Sequence, residues 1–140
     1  MMSVTIEKIE TDSIIVDQEV FEEIIKFQGK NKKEIGGIIG GYSNHIIYVL
    51  LDYGLQVNRN CSYIPNTKYL NEGIDEWGRR GIEFLGVFHT HFNNVSTLSD
   101  ADKIYIEKIM NNMPKNIIRL YFPVMVMPKG EMVFYKASKT

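Results

Sequence analysis

With 140 residues, of which 44% are hydrophobic and 24% charged, the chain has the size and composition of one soluble globular domain. Its net charge of −1, without a long run of lysine and arginine, predicts neither a nucleic acid nor a membrane surface as a partner. The single cysteine, Cys61, and the absence of a signal-peptide pattern predict a cytoplasmic protein.

Apolar periodicity and turn residues predict an alternation of strands and helices. In chain order we expect strands at 4–6 and 14–16, a helix from Asp17 as N-cap to Gly29, a strand pair at 35–42 and 45–53, a strand at 56–64, a helix at 67–80, a strand at 82–89, a helix at 99–111 and a hairpin with arms at 117–127 and 131–135. No linker-like stretch divides the chain, so a single domain over residues 1–140 is expected.

Two features of these strands are unusual. The paired glycines of 35–42 lower its β propensity, so that strand requires a neighbour or ligand that approaches its backbone closely. Pro123, inside the first arm of the final hairpin, predicts a bulge or an edge position.

The segment GVFHTHFNNVSTLSDAD, from Gly86 to Asp102, contains residues from which a metal site can be built. Side chains alternate faces along a strand, so His89 and His91 point the same way if the strand runs through both. Two imidazoles, joined by the Asp102 carboxylate from the next helix, suit zinc. Three protein ligands leave a fourth tetrahedral position for a water, whose pKa zinc lowers to about 7.

Hydrolysis at such a site needs a general base and a donor for the oxyanion. Ser99, three residues before Asp102, is the candidate donor. Glu34 is the candidate base, because it precedes the glycine-rich strand, where the backbone can come close.

Each of these residues also has an explanation without a metal. An H-x-H pair is a weak signal by itself, and residues 99–102 can form a capping box with Asp in place of Glu. Glu34 follows three nearby lysines and can be a solvated loop charge, and the paired glycines can serve packing alone.

Taken together, Glu34 and the pattern His89-Thr90-His91, seven residues, Ser99, two residues, Asp102 resemble the JAMM motif of the JAB/MPN metallopeptidases. The resemblance implies an α/β fold with a mixed β-sheet flanked by helices, similar to the deaminase-like sandwich. It implies that His89, His91 and Asp102 ligate one Zn²⁺ per chain, which carries a bound water. It also implies that Glu34 is the general base and that Ser99 stabilises the oxyanion.

The resemblance further implies a substrate class. Members with the intact motif typically cleave isopeptide or peptide bonds after the C-terminal Gly-Gly of ubiquitin or a ubiquitin-like protein. A ubiquitin-like or other β-grasp protein is therefore the expected partner, together with E1-like or E2-like proteins if these are encoded nearby.

The chain departs from the family pattern in one loop. Many relatives carry proline after the second histidine, where this chain has Phe92, and the loop 92–98 lacks the proline and glycine common there. The shape of the substrate groove is therefore expected to differ. Segment 65–81 is expected to be a core helix rather than an insertion over the cleft.

Three other functions remain open at this point. A peptidase that processes a sulfur-carrier or other β-grasp protein would use the same residues, and a neighbouring gene would separate the two. A non-catalytic MPN interaction module would fail to retain metal. A nucleobase deaminase of similar fold needs an H-x-E and P-C-x-x-C pairing, and the single cysteine excludes its two-thiolate form.

Overall fold

The computed structural model describes residues 3–55 and 63–140, which form a mixed sheet flanked by helices. The strands are β1 (Val4–Ile9), β2 (Ile15–Val16), β3 (Gly36–Tyr42), β4 (His45–Asp52), β5 (Glu83–His91), β6 (Arg119–Tyr121), β7 (Val124–Val126) and β8 (Glu131–Lys139). The α-helices are α1 (Gln18–Gly29), α2 (Thr67–Arg79) and α3 (Asp100–Asn112). The predicted α/β class with a mixed, helix-flanked sheet is confirmed.

The strand β5 lies in the middle of the sheet. The strand order is β1-β8-β6-β5-β3-β4-β2, and β7 continues the line of β6 between β5 and β8. β5 runs antiparallel to β3 and parallel to β6 and β7. Side chains at the end of β5 are therefore held by a strand on either side.

Helices cover both faces of the sheet. Neighbouring residues of a strand point to opposite faces, so they pack in different cores. Ile39 of β3 packs in one core with Ile24 of α1. Ile38, the preceding residue, packs in the other core with Leu70 of α2 and Ile106 of α3. The face of α1 is thus opposite the face shared by α2 and α3, and 67–79 is a core helix as predicted.

Aromatic rings lie directly on the glycines of β3. A Cβ atom at Gly40 would be 2.7 Å from Cζ3 of Trp77, and one at Gly36 would overlap the ring of Tyr63. The predicted close approach to this strand is confirmed, and two aromatic side chains make it.

The prediction of a bulge or an edge at Pro123 is wrong. The arm expected at 117–127 is two short strands, β6 and β7, in line between β5 and β8. The register along β8 is unbroken, since Tyr121 pairs with Lys136 and, three residues on, Val124 pairs with Val133. Proline removes only its own N–H, so the pairing is interrupted without a shift.

Other expectations differ in detail. β1, β5 and β8 run past their predicted ends, and β1 and β2 lie at opposite ends of the strand order. Asp17 occupies the N-cap of α1 without a side-chain cap, because its carboxylate lies 2.6 Å from Nε2 of His45. In the strand expected at 56–64, residues 56–62 lie outside the described ranges, and residues 63 and 64 belong to a loop.

Among the described residues, no helix is both long enough and apolar enough to cross a bilayer.

Candidate metal centre

Two histidines at the end of β5 share one face of the sheet. The strand continues through His91, two residues beyond its predicted end, so the condition for a shared face is met. Both side chains are buried, and their Nε2 atoms are 2.9 Å apart. Val87, two residues before His89, packs in the core of α2 and α3, so the histidines lie on the face that α3 covers.

The first turn of α3 places a carboxylate against both imidazoles. Oδ1 of Asp102 is 3.4 Å from Nε2 of His89, and Oδ2 is 3.1 Å from Nε2 of His91. These three side chains can hold one metal ion. Burial raises the pKa of Asp102, but the hydrogen bonds from both histidines outweigh it and hold that pKa well below its usual range. The carboxylate is therefore ionised.

A backbone carbonyl orients the second histidine. Nδ1 of His91 lies 3.1 Å from the carbonyl oxygen of Val95, which can only accept a hydrogen bond. In neutral His91 the proton is thus on Nδ1, and the lone pair of Nε2 faces Nε2 of His89 and the Asp102 carboxylate. Only protonated His91 donates from both nitrogens, to Val95 and to Asp102. Burial lowers the pKa of His91, but the hydrogen bond and charge of Asp102 outweigh it, so the pKa is raised. Protons and a metal ion compete for this nitrogen.

Two asparagines shape the loop that carries Val95. Asn93 and Asn94 have positive φ values of 57° and 56°, a conformation that asparagine tolerates better than most residues. The backbone N–H of Asn94 donates to the carbonyl of Met127 at 2.9 Å. The loop without glycine or proline therefore still makes the turn that brings Val95 to His91.

The capping box expected as an explanation without metal is present. The backbone N–H of Ser99 donates to Oδ2 of Asp102, and the backbone N–H of Asp102 donates to Oγ of Ser99, each at 3.0 Å. The same carboxylate also contacts the histidines, so the capping box and the donor cluster coexist. Ser99 is exposed, and its hydroxyl proton remains available to another acceptor.

Glu34 lies across the cleft from α3. It lies two residues before the start of β3, and Gly36 of β3 pairs with His89. Its Oε2 accepts a hydrogen bond from the backbone N–H of Phe92 at 3.4 Å. Burial raises the pKa of Glu34, although the charges of both histidines oppose the shift. A carboxylate with a raised pKa is a stronger proton acceptor than an ordinary glutamate.

A cleft of about 800 Å³ joins these groups, and its walls include residues that the sequence did not indicate as functional. The Tyr63 hydroxyl donates to Oδ2 of the buried Asp52 at 2.7 Å, which holds its ring at the cleft wall. Tyr105 also lines the cleft, and its buried hydroxyl has no hydrogen-bond partner within residues 3–55 and 63–140. In the sequence, Gly36 alone hints at the position of Tyr63, because its missing side chain leaves room for the Tyr63 ring.

No protein-family model matches the sequence, and no curated protein matches it. The solution structure of protein DSY2949 from Desulfitobacterium hafniense is similar, with a TM-score of 0.61 and 15% identity over 91% of this chain and 89% of that chain. A crystal structure of AF2198, a JAB1/MPN domain protein from Archaeoglobus fulgidus, gives a TM-score of 0.48 and 14% identity over 86% of this chain and 94% of that chain. At such low identity, the first likeness shows a shared fold only.

Proposed function

We propose that this chain is a cytoplasmic zinc peptidase of the JAMM type, a JAB/MPN-type enzyme. Its substrate would be the peptide or isopeptide bond that follows the C-terminal glycine of a ubiquitin-like protein. The observation that carries the proposal is the convergence of His89, His91 and Asp102 in one cleft that Glu34 also lines. The likeness of their spacing to the JAMM motif supports the substrate class.

The donor set and its spacing support zinc. Two imidazole nitrogens and one carboxylate oxygen are ligands that zinc prefers, and three protein ligands are typical of its catalytic sites. Ligand bonds of 2.0–2.1 Å in a tetrahedron separate neighbouring donor atoms by about 3.3 Å. The separations of 2.9, 3.1 and 3.4 Å are close to that value. Zinc, when bound, would supply a Lewis acid that lowers the pKa of a water molecule.

The proton-transfer role falls to Glu34. Its carboxylate is half-buried in the cleft wall, and burial favours the protonated form, so it can take a proton and release it to a leaving amine. A positioned base of this kind contributes about 10²–10⁴-fold in rate.

Ser99 is suited to stabilise developing negative charge. Its oxygen accepts the hydrogen bond from the Asp102 amide, which leaves the hydroxyl proton available to another acceptor. A donor aimed at an oxyanion typically contributes about 10²–10³-fold in rate.

Metal content and cleavage test the proposal together. Untagged protein, purified without added zinc, should contain about one zinc per chain. It should release the dye from a fluorogenic peptide that ends in Gly-Gly, or cleave a fusion to a β-grasp protein encoded beside its gene. Glu34→Gln should keep the zinc and the fold, but lose about 10²–10⁴-fold in turnover.

Different results separate the alternatives. Wild-type protein that neither retains zinc nor takes it up would contradict the proposal and favour a non-catalytic interaction module. Loaded protein in which Glu34→Gln turns over at the wild-type rate would remove Glu34 from the mechanism. Comparing a linear fusion with a lysine-linked conjugate of the same protein would identify the bond type.

A further inference from the structure

Thr90, between the two histidines, points to the opposite face of the sheet. It is fully buried on the side that α1 covers. Its hydroxyl oxygen accepts a hydrogen bond from the backbone N–H of Ile35 at 2.9 Å, and its proton is donated to Oε1 of Gln28. The backbone N–H of Thr90 also donates to the carbonyl of Ile35 at 2.9 Å. One residue of β5 therefore holds both backbone polar groups of Ile35.

Gln28, near the end of α1, completes this network. Its side chain is buried, and its amide group donates to the carbonyl of Lys33 at 2.8 Å and to the carbonyl of Asn31 at 3.1 Å. Its Oε1 accepts the proton of Thr90. Both amide hydrogens and the amide oxygen are in use, so the orientation of the side chain is determined.

These contacts fix the backbone on both sides of Glu34. The Lys33 carbonyl belongs to the peptide plane that precedes the Glu34 Cα atom, and the Ile35 N–H belongs to the plane that follows it. Each peptide unit is rigid, so the positions of the two planes determine both backbone dihedral angles of Glu34. The direction of its Cα–Cβ bond toward the histidines follows from them.

We propose that Gln28 and Thr90 are positioning residues, which hold the Glu34 carboxylate in its place beside His89, His91 and Asp102 in the cleft. The assignment rests on the proposed function, in which Glu34 is the base. It gives the residue between the two histidines a role of its own. The strand thus aims the histidines at one face and supports the base from the other.

The surroundings of this network favour a positioning role over simple packing. Ile24, Ile35 and Phe88 make that face of the sheet apolar, and a fully satisfied polar network inside an apolar core specifies one geometry. The backbone groups that it holds directly flank Glu34. Phe92, whose N–H donates to the Glu34 carboxylate, reports on that geometry without substrate or metal.

The test compares Thr90→Val, which removes the hydroxyl at nearly constant volume, with Thr90→Ser, which keeps it. Ile24→Val, on α1 but outside the network, controls for lost packing, and Gln28→Met serves as a second probe if Thr90→Val does not fold. In metal-free protein, hydrogen exchange of the Phe92 amide should be about tenfold faster in Thr90→Val than in wild type. Glu34→Ala sets the exchange rate that corresponds to complete loss of the contact.

Turnover of the Gly-Gly fluorogenic peptide is the second readout. Thr90→Val should lower kcat by about 10–100-fold with KM and zinc content near wild type, because a small displacement of a catalytic group has a large effect. Thr90→Ser should stay within about twofold of wild type, and Ile24→Val should be unchanged.

Phe92 exchange that rises no more in Thr90→Val than in Ile24→Val would overturn the inference, whatever the activity. A failure of wild-type protein to cleave any substrate would instead contradict the proposed function. The exchange data would then decide by themselves whether the network holds Glu34.

Discussion

Two sides of the cleft are held in different ways. On the strand side, Glu34 and the histidines depend on contacts between distant parts of the chain, such as the 55 residues that separate Ile35 from Thr90. On the helix side, Ser99 and Asp102 hold each other across three residues. The candidate donor set thus combines a histidine pair fixed by the whole sheet with a carboxylate fixed by one helical turn.

Loss of a strand-side ligand is expected to have the largest effect. His91→Ala leaves two protein ligands, so the zinc content measured without added metal should fall from about one per chain to near zero. Asp102→Asn is the matched change on the helix side, since it keeps an oxygen for the capping box. It should weaken zinc binding while the helix content of metal-free protein, measured by circular dichroism, stays near wild type. Full zinc occupancy in His91→Ala would show that the metal is held elsewhere.

The two roles of Ser99 can be separated by a pair of variants. Ser99→Ala removes both the cap and the hydroxyl donor, and should cost about 1 kcal/mol of stability. Ser99→Gly also removes the hydroxyl but should cost only a few tenths of a kcal/mol, because glycine is a tolerated N-cap. Both should lose about 10²–10³-fold in kcat. If turnover follows stability across the pair, the serine acts only as a cap.

Asn94 tests whether the loop geometry supports His91. Asn94→Ala should cost about 1 kcal/mol, since alanine is disfavoured at positive φ, which corresponds to a thermal midpoint lower by about 3 °C. Asn94→Gly should be neutral or stabilising. Zinc affinity should fall with Ala and stay with Gly, because the Val95 carbonyl follows the turn. Equal stability of the Ala and Gly variants would contradict the role of backbone conformation.

The smallest expected effect is that a rise in pH changes two quantities in opposite directions: the thermal midpoint of metal-free protein and the gain in midpoint on adding zinc. In metal-free protein, the lowered pKa of Asp102 stabilises the folded state at pH values above the unfolded pKa of about 3.9. The raised pKa of His91 stabilises the folded state at pH values below the unfolded pKa of about 6.5. Raising the pH from about 5.5 to about 8 should therefore lower the midpoint of metal-free protein slightly. The gain in midpoint on adding zinc should increase over the same range, because fewer protons compete for His91.

Differential scanning fluorimetry of metal-free and zinc-loaded protein at each pH measures both trends. In His91→Ala, adding zinc should no longer raise the thermal midpoint. A zinc-induced gain that falls as the pH rises would contradict the assignment of His91 as a ligand.

The helix side of the cleft could largely be predicted from the sequence. The box of Ser99 and Asp102 is a contact between near neighbours, and local spacing determines such contacts. The shared face of His89 and His91 followed from strand periodicity, once the strand reached His91. The central position of β5 did not follow, because strand order depends on crossovers that no local pattern encodes.

The supports of the strand side could not be predicted. In the sequence, Gln28 is one polar residue at the end of an amphipathic helix, and no neighbouring residue indicates Thr90 as its partner. The Val95 carbonyl has no side-chain signature at all. The effect of Pro123 could not be predicted, because it depends on which strands lie beside it. The roles of Glu34 and Ser99 in hydrolysis stay predictions until turnover is measured.

The position of Asp102 has a kinetic consequence. It is the third residue of α3, in the first turn, and terminal turns of helices in general open more readily than central strands. Opening of that turn would withdraw one proposed ligand while both histidines stay in place on β5. We therefore expect one helical turn to set the rate at which a chelator removes a bound metal ion. A mutation that only loosens the cap should shorten the lifetime of the bound ion long before the protein unfolds.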